Sequence, residues 1–411
     1  MSSKPNTLPM KIHTYFLLGL TFLSSYACKQ QEPKTTSGEK LVIPPALPLM
    51  VENPDTPEEK KALADSFKGI TSNGEIQQGL FTIKETGVST LPIQNAVSNF
   101  LASISEEQQK TCLFLIDAEE WRRWSNIDFY KRKGIGLPEL NDEQKALAFD
   151  ILKISLSPSG FEKTQNIMKM EGYLARLAND FEKLGPELYW FSFMGVPSKT
   201  EPWGWQIDGH HLAINYFVLG DQVVMTPTFM GSEPNLIEEG EHKGTRTFEK
   251  EENLGFELYS SFSKEQQEKS TSIETKEYNY NQAESYSDNM EVPFVGIKTD
   301  DLTNDQQVQL QLLIKAYIGN MSENHAKVKM NEILIHWKDT YFAWVGGSTI
   351  ESPFYYRVHS PVIMIEFDHQ KPIFLPGNKP TKKHVHTVVR TPNGNDYGKD
   401  LLRLHLKEHK H

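Results

Sequence analysis

The chain has 411 residues, 38% of them hydrophobic and 11% aromatic, which is enough for a real core, and its formal net charge is −11 with a sequence pI of about 5.7. This balance repels a phosphate backbone, and no basic helix or aromatic-basic stripe reverses it locally, so nucleic acid is not expected as a partner. The only cysteines are Cys28 and Cys112.

In chain order, residues 1–28 read as a targeting segment. Lys11 gives a positive start, Tyr15 to Leu23 forms a short apolar core, and Ser25-Tyr26-Ala27-Cys28 ends on a small residue before a cysteine. Nine residues are too few to cross a bilayer, which takes roughly 20. The placement of Cys28 resembles a lipoprotein signal, so that the expected address is the cell envelope, outside the cytoplasm and membrane-bound only through a lipid on Cys28; the alternative is simple secretion. With Cys28 assigned there, no internal disulfide remains, and Cys112 in the apolar run TCLFLID reads as a core residue. Residues 29–60 have the proline, charge and small polar residues of an extended tether, whose apolar part from Leu41 to Val51 is expected to rest on the folded body.

The body, 61–411, is written twice. Ser105, Asn141, Ser263 and Thr303 each stand three residues before a glutamine, the capping-box spacing that satisfies free amides at a helix start. The segments GIGLPELNDEQ from Gly134 and GIKTDDLTNDQ from Gly296 match at a spacing of 162 residues, and Leu147, Ile151, Ile154 and Leu310, Leu313, Tyr317 continue each with helical period. The strand-like WGWQIDGHHLAINYF and FYYRVHSPVIMIEFD match at a spacing of 151. The expectation is an α+β fold, internally duplicated: half one over about 91–235 and half two over about 246–395, each with helices followed by a few antiparallel strands, related by a pseudo-twofold. The two strand sets are expected to join or to pack face to face. Thr271 to Asn289 is polar and reads as an excursion of half two, and a C-terminal helix is expected over 398–409.

Two stretches carry residues suited to chemistry. Asp208-Gly209-His210-His211 leads into an apolar strand, where only one of two adjacent histidines faces a given pocket unless Gly209 makes a bend. His384-Val385-His386 has the two-residue spacing that puts both imidazoles on one face of a strand, within reach of one metal ion. In the duplicated register the histidines of one half fall opposite apolar residues of the other, so one composite site is expected at the seam. Its ligands would be His384 and His386 with His210 or His211, and Asp208 or Glu366 as further candidates, around a divalent transition metal such as zinc with a position open for water. Arg390 offers a planar fork for a carboxylate or phosphate, or else pairs with Asp396. Trp203, Trp205 and Gln206 are candidates to wall the pocket, and tryptophans beside a proline turn also serve as core packing.

The stretches WRRWSN, KGIGLPELNDEQ, PWGWQIDGHHLAIN, TPTFMGSEP, PFYYR, MIEFD and HVHTVVRTPNGNDYGKDLL together resemble the family known as domain of unknown function 3500. The resemblance marks His210, His211, His384, His386, Arg390 and Asp396 as motif positions and implies no role for any of them. The expected function is a metal-dependent hydrolase of a small polar or carbohydrate-related substrate; the alternative is a ligand-binding lipoprotein without catalysis, using the same tryptophans, histidines and arginine.

Overall fold

The computed structural model describes residues 42–45 and 57–409. The targeting segment, Cys28 and most of the tether lie outside the described residues. The tether's two described pieces both join the body: Ile43 is buried with Tyr280, Val295 and Tyr355, and Pro57–Ala64 forms helix α1, where Glu59 pairs with Arg123 at 2.7 Å.

After α1 the chain forms α2 (Leu91–Ser103), α3 (Glu106–Cys112), β1 (Leu113–Phe114), β2 (Ile135–Gly136), α4 (Asp142–Ser155), α5 (Pro158–Ala178), β3 (Tyr189–Met194), β4 (Trp203–Gly209), β5 (Leu212–Leu219), β6 (Gln222–Val224) and β7 (Thr228–Ser232). It then forms α6 (Glu249–Ser260), α7 (Lys264–Ser270), β8 (Thr271–Ile273), β9 (Ile297–Lys298), α8 (Asn304–Ile318), α9 (Glu323–Ile335), β10 (Tyr341–Gly346), β11 (Phe354–His359), β12 (Met364–His369), β13 (Val385–Arg390) and α10 (Lys399–Glu408). Ser105, Asn141, Ser263 and Thr303 make the four expected capping boxes, at the starts of α3, α4, α7 and α8. Cys112 ends α3 fully buried, and burial pushes its thiol up to about 12.

The strand sets join edge to edge in one sheet, in the order β1-β3-β4-β5-β7-β13-β12-β11-β10-β8. From either edge the pairings run alike: β1 and β8 lie parallel to β3 and β10, β2 and β9 pair antiparallel with those same strands, and antiparallel neighbours follow to the central pair. At the centre β13 pairs antiparallel with β7, His386 opposite Gly231 and Val388 opposite Phe229.

Both faces of the sheet are covered. One carries aromatic and aliphatic residues into the helical layer, where Tyr356 on β11 meets Tyr317 on α8, hydroxyl to hydroxyl at 2.5 Å. The other face carries Gln206, Asp208, Glu366, Asp368, His386 and Arg390, and is roofed by two irregular segments, 115–134 and 274–296. Polar groups from the sheet fasten these roofs by their backbones, because buried backbone amides and carbonyls need partners. Asp208 accepts the Ser125 N–H at 3.1 Å, and Gln206 donates to the Trp121 carbonyl at 3.1 Å. Asp368 accepts the Tyr280 N–H at 2.6 Å, and Glu366 accepts those of Gln282 and Ala283, both at 2.9 Å. The polar Thr271 to Asn289 stretch is therefore no outlying excursion: it enters the sheet as β8 and then forms most of the second roof.

Candidate metal centre

The sequence places His210 and His211 at the head of a strand, but the chain turns there. Gly209 pairs directly with Leu212, so the two histidines are the turn of the β4–β5 hairpin. His211 adopts a left-handed backbone conformation, φ 61°. Such a conformation costs a non-glycine residue of order 1 kcal/mol. It is held from two sides: the Gly231 N–H donates to the His211 carbonyl at 2.8 Å, and the His211 N–H donates to Asn126 Oδ1 at 3.0 Å.

Here the hairpin meets the start of β13. His384 and His386 lie on one side of the strand as their spacing requires, with Nε2 atoms 3.0 Å apart, and the His211 ring stands 5.6 Å and 5.5 Å from theirs, centre to centre. One ring nitrogen from each of the three lies within 4.8 Å of the others. Gly231 makes the approach possible: a Cβ there would meet the Val385 carbonyl at 2.8 Å, His211 Cδ2 at 2.9 Å and His386 Cδ2 at 3.0 Å.

The outer nitrogen of each ring is committed. His384 Nδ1 donates to the Lys371 carbonyl at 2.7 Å, which accepts only, so Nδ1 carries the proton. His386 Nδ1 donates to Glu284 Oε1 at 2.7 Å, and His211 Nδ1 to Glu171 Oε2 at 3.2 Å. Burial alone would raise the Glu171 carboxyl, but the charge and hydrogen bonds of His210 and His211 outweigh it and bring it down to about 2. The opposition of burial and His386 likewise leaves Glu284 lowered. Both acids are thus carboxylates that accept from the outer nitrogens, and ring nitrogens converge on the inner side: His384 and His386 Nε2 face each other at 3.0 Å, Asn126 Nδ2 lies 3.3 Å from His386 Nε2, and His211 Nε2 is buried without a partner. Burial and the neighbouring rings push His211 down to about 3 and His384 well below the usual histidine range, so these two rings are neutral and able to bind a cation. Metal–nitrogen bonds of about 2.0–2.1 Å set tetrahedral nitrogens about 3.3 Å apart, near the 3.0 Å between His384 and His386 Nε2, and His211 lies within 4.8 Å of both. Charge agrees: among the described residues Glu171 and Glu284 have only histidine and amide partners, with no lysine or arginine, and a dication offsets the pair.

Glu171, His210 and His211 form a second group able to hold a cation, again within 4.8 Å. Its needs are already met, since Glu171 accepts from His210 Nδ1 at 2.5 Å and from His211 Nδ1 at 3.2 Å. His210 is the outer member, 8% exposed, with the Phe374 ring beside it at 6.0 Å.

The other expected site residues lie elsewhere. Asp208 is 3.1 Å from Arg132 in an ion pair and holds the roof segment that carries Asn126; burial raises it to about 7 against the pull of Arg132. Glu366 anchors the second roof and accepts the Tyr355 hydroxyl at 2.6 Å. Arg390 takes the second of its two readings, the pairing with Asp396. It is fully buried, donating to Ala283 O at 2.9 Å, Glu284 O at 2.7 Å, Asp288 at 2.7 Å and Asp396 at 3.3 Å. Asp396 also accepts the Thr391 N–H at 2.7 Å. Arg390 thereby positions the loop that offers Glu284 to His386. Trp203 and Trp205 serve as core packing. Trp203 donates to the Ser198 carbonyl at 3.0 Å, Trp205 stacks on Tyr216 at 5.0 Å, and both are buried in the main core. Gln206 is held by Trp121 and by Asn215 Oδ1 at 2.6 Å.

Sequence reasoning missed Glu171, Glu284, Asn126 and Gly231. A signal existed for Glu171: with Gly160, Thr164, Ile167 and Leu174 it lies on the buried stripe of α5, at helical spacing where a carboxylate is costly.

Fold and site define an α+β protein with a buried trihistidine cluster where the two central strands of its sheet meet. A family model matches residues 86–399, a span holding every residue of the cluster and its carboxylates. The chain belongs to that family, described as Protein of unknown function (DUF3500). No curated protein and no solved structure matches it.

Proposed function

We propose that His211, His384 and His386 hold a divalent transition metal, zinc in the first instance, and that the metal activates water in a hydrolase acting on a small polar or carbohydrate-related substrate. The observation that carries this reading is the convergence of one ring nitrogen from each of three histidines whose outer nitrogens all meet acceptors. Three protein ligands with a fourth position left for water is the pattern of catalytic zinc, whereas structural zinc closes with four. Limited access supports a small substrate: His386 is 6% exposed and His211 1%. The binding-only reading is weaker, since Trp203, Trp205 and Arg390 are engaged in the core.

The matched order of pairings from both edges of the sheet and the four capping boxes support an internal duplication about a pseudo-twofold between β7 and β13. On that reading the metal occupies one end of the seam, and the apolar Pro361-Val362 turn fills the other. A lipid on Cys28 would place this body outside the cytoplasm.

The test is metal content by mass spectrometry together with hydrolysis of 4-nitrophenyl acetate. One equivalent of metal and chelator-sensitive hydrolysis are expected, both lost in the folded His384→Ala/His386→Ala variant. A folded protein that takes up no metal at neutral pH overturns the reading; one that takes up metal without hydrolysis overturns its catalytic part.

A further inference from the structure

We infer that the open position of this centre is built for an anionic or carbonyl oxygen, and that Asn126 is the side chain that would hold it; this rests on the metal reading above. Asn126 belongs to the first roof, half-buried over the histidines. Its amide is oriented by its partners: the His211 backbone can only donate, so the atom facing it at 3.0 Å is Oδ1. That leaves the amide nitrogen turned to His386 Nε2 at 3.3 Å, where it donates to a bare lone pair.

When His386 Nε2 binds a cation, its lone pair is committed and the Asn126 N–H loses its acceptor. Among the described residues the Asn126 amide nitrogen has no second hydrogen-bond acceptor. Glu284 Oε1 is taken by His386 and by Asn281 at 3.0 Å, both oxygens of Glu171 are taken by histidines, and the Phe229 ring lies edge-on to His386 at 5.0 Å. What faces the open position is therefore one aimed donor. It is satisfied by hydroxide, a carboxylate oxygen or a substrate carbonyl, and is left unmatched by an amine or a protonated donor. A fixed N–H directed at an oxygen that gains negative charge is also the device that stabilises an oxyanion during acyl transfer.

The experiment uses the full chain loaded with cobalt(II) and titrated with acetate, read by the d–d absorption of the metal. Asn126→Ala removes the donor. Asn126→Asp keeps an oxygen for the His211 N–H and sets a carboxylate where the donor was. Acetate should perturb the wild-type spectrum, bind Asn126→Ala tenfold or more weakly, and leave the Asn126→Asp spectrum unchanged, with one cobalt retained in each. Acetate affinities within twofold of wild type in both cobalt-loaded variants overturn the inference while leaving the metal reading intact. Loss of cobalt from both variants also overturns it, since Asn126 would then be needed to hold the metal. Failure of the wild type to load removes both.

Discussion

Gly231→Ala is the sharpest single perturbation of this architecture, because the glycine sits between two of the three rings. The added methyl would stand 2.8 Å from the Val385 carbonyl, 2.9 Å from His211 Cδ2 and 3.0 Å from His386 Cδ2. None of these can yield cheaply. The carbonyl belongs to the central strand pair, His211 is clamped in its turn by Asn126 and Gly231, and His386 is tied to Glu284. Overpacking of this kind costs roughly 2 kcal/mol. Unfolding entropy of about 2.1 cal/mol/K per residue, over about 350 described residues, turns that into a fall of about 3 °C in Tm. Metal binding should suffer more. Displacing even the groups that orient a ligand costs 10–100-fold in affinity, and here two ligands move, so a loss of at least tenfold is expected. Differential scanning calorimetry and a zinc competition titration against a chromophoric chelator measure the two effects. If Gly231→Ala binds zinc like wild type and melts within a degree of it, the rings are not packed as described.

Glu171→Gln presents an amide N–H to one of two Nδ1–H donors; the His211 tautomer that relieves this protonates Nε2, so zinc affinity should drop 10–100-fold, and an unchanged titration would count against the carboxylate's role. Lowered histidine pKa values delay proton competition with metal. With His211 at about 3 and His384 well below the usual range, zinc affinity should fall by no more than about tenfold from pH 7 to 5.5, where three ordinary histidines would lose several hundredfold. A several-hundredfold loss would show the rings titrating as exposed ones do. Arg390→Ala leaves Asp396 buried without its cation and removes one of the two arginines on Asp288, for a cost of about 3–5 kcal/mol in urea unfolding. Unchanged stability would return Arg390 to the list of free substrate-binding groups.

Local signals carried far in this chain. The capping boxes were legible because a cap needs only a side chain and a glutamine three residues on, and His384-Val385-His386 because strand alternation fixes its geometry wherever the strand lies. The mismatch of histidines between the two matched stretches pointed to a site joining distant parts of the chain, and His211 does meet His384 and His386. The turn at His210-His211 was legible only as a bend that Gly209 allows, because the apolar run that follows reads as a strand led by both histidines. Arg390, Asp208 and Glu366 looked like site residues because costly side chains in strands have two uses, chemistry and the anchoring of irregular backbone over a sheet. Only the tertiary path of 115–134 and 274–296 separates these. Glu284 gave no signal at all, since nothing local distinguishes it from the other polar residues of its loop.

The central claim is that one metal is bound by three histidine nitrogens at the junction of β7 and β13. X-ray absorption spectroscopy of the zinc-loaded protein tests it most directly. The account predicts a first shell of nitrogen and oxygen near 2.0–2.1 Å, with outer-shell scattering from three imidazoles that falls to two in His211→Ala. Fewer than three imidazoles in the wild type, or a pattern unaltered by His211→Ala, would contradict it.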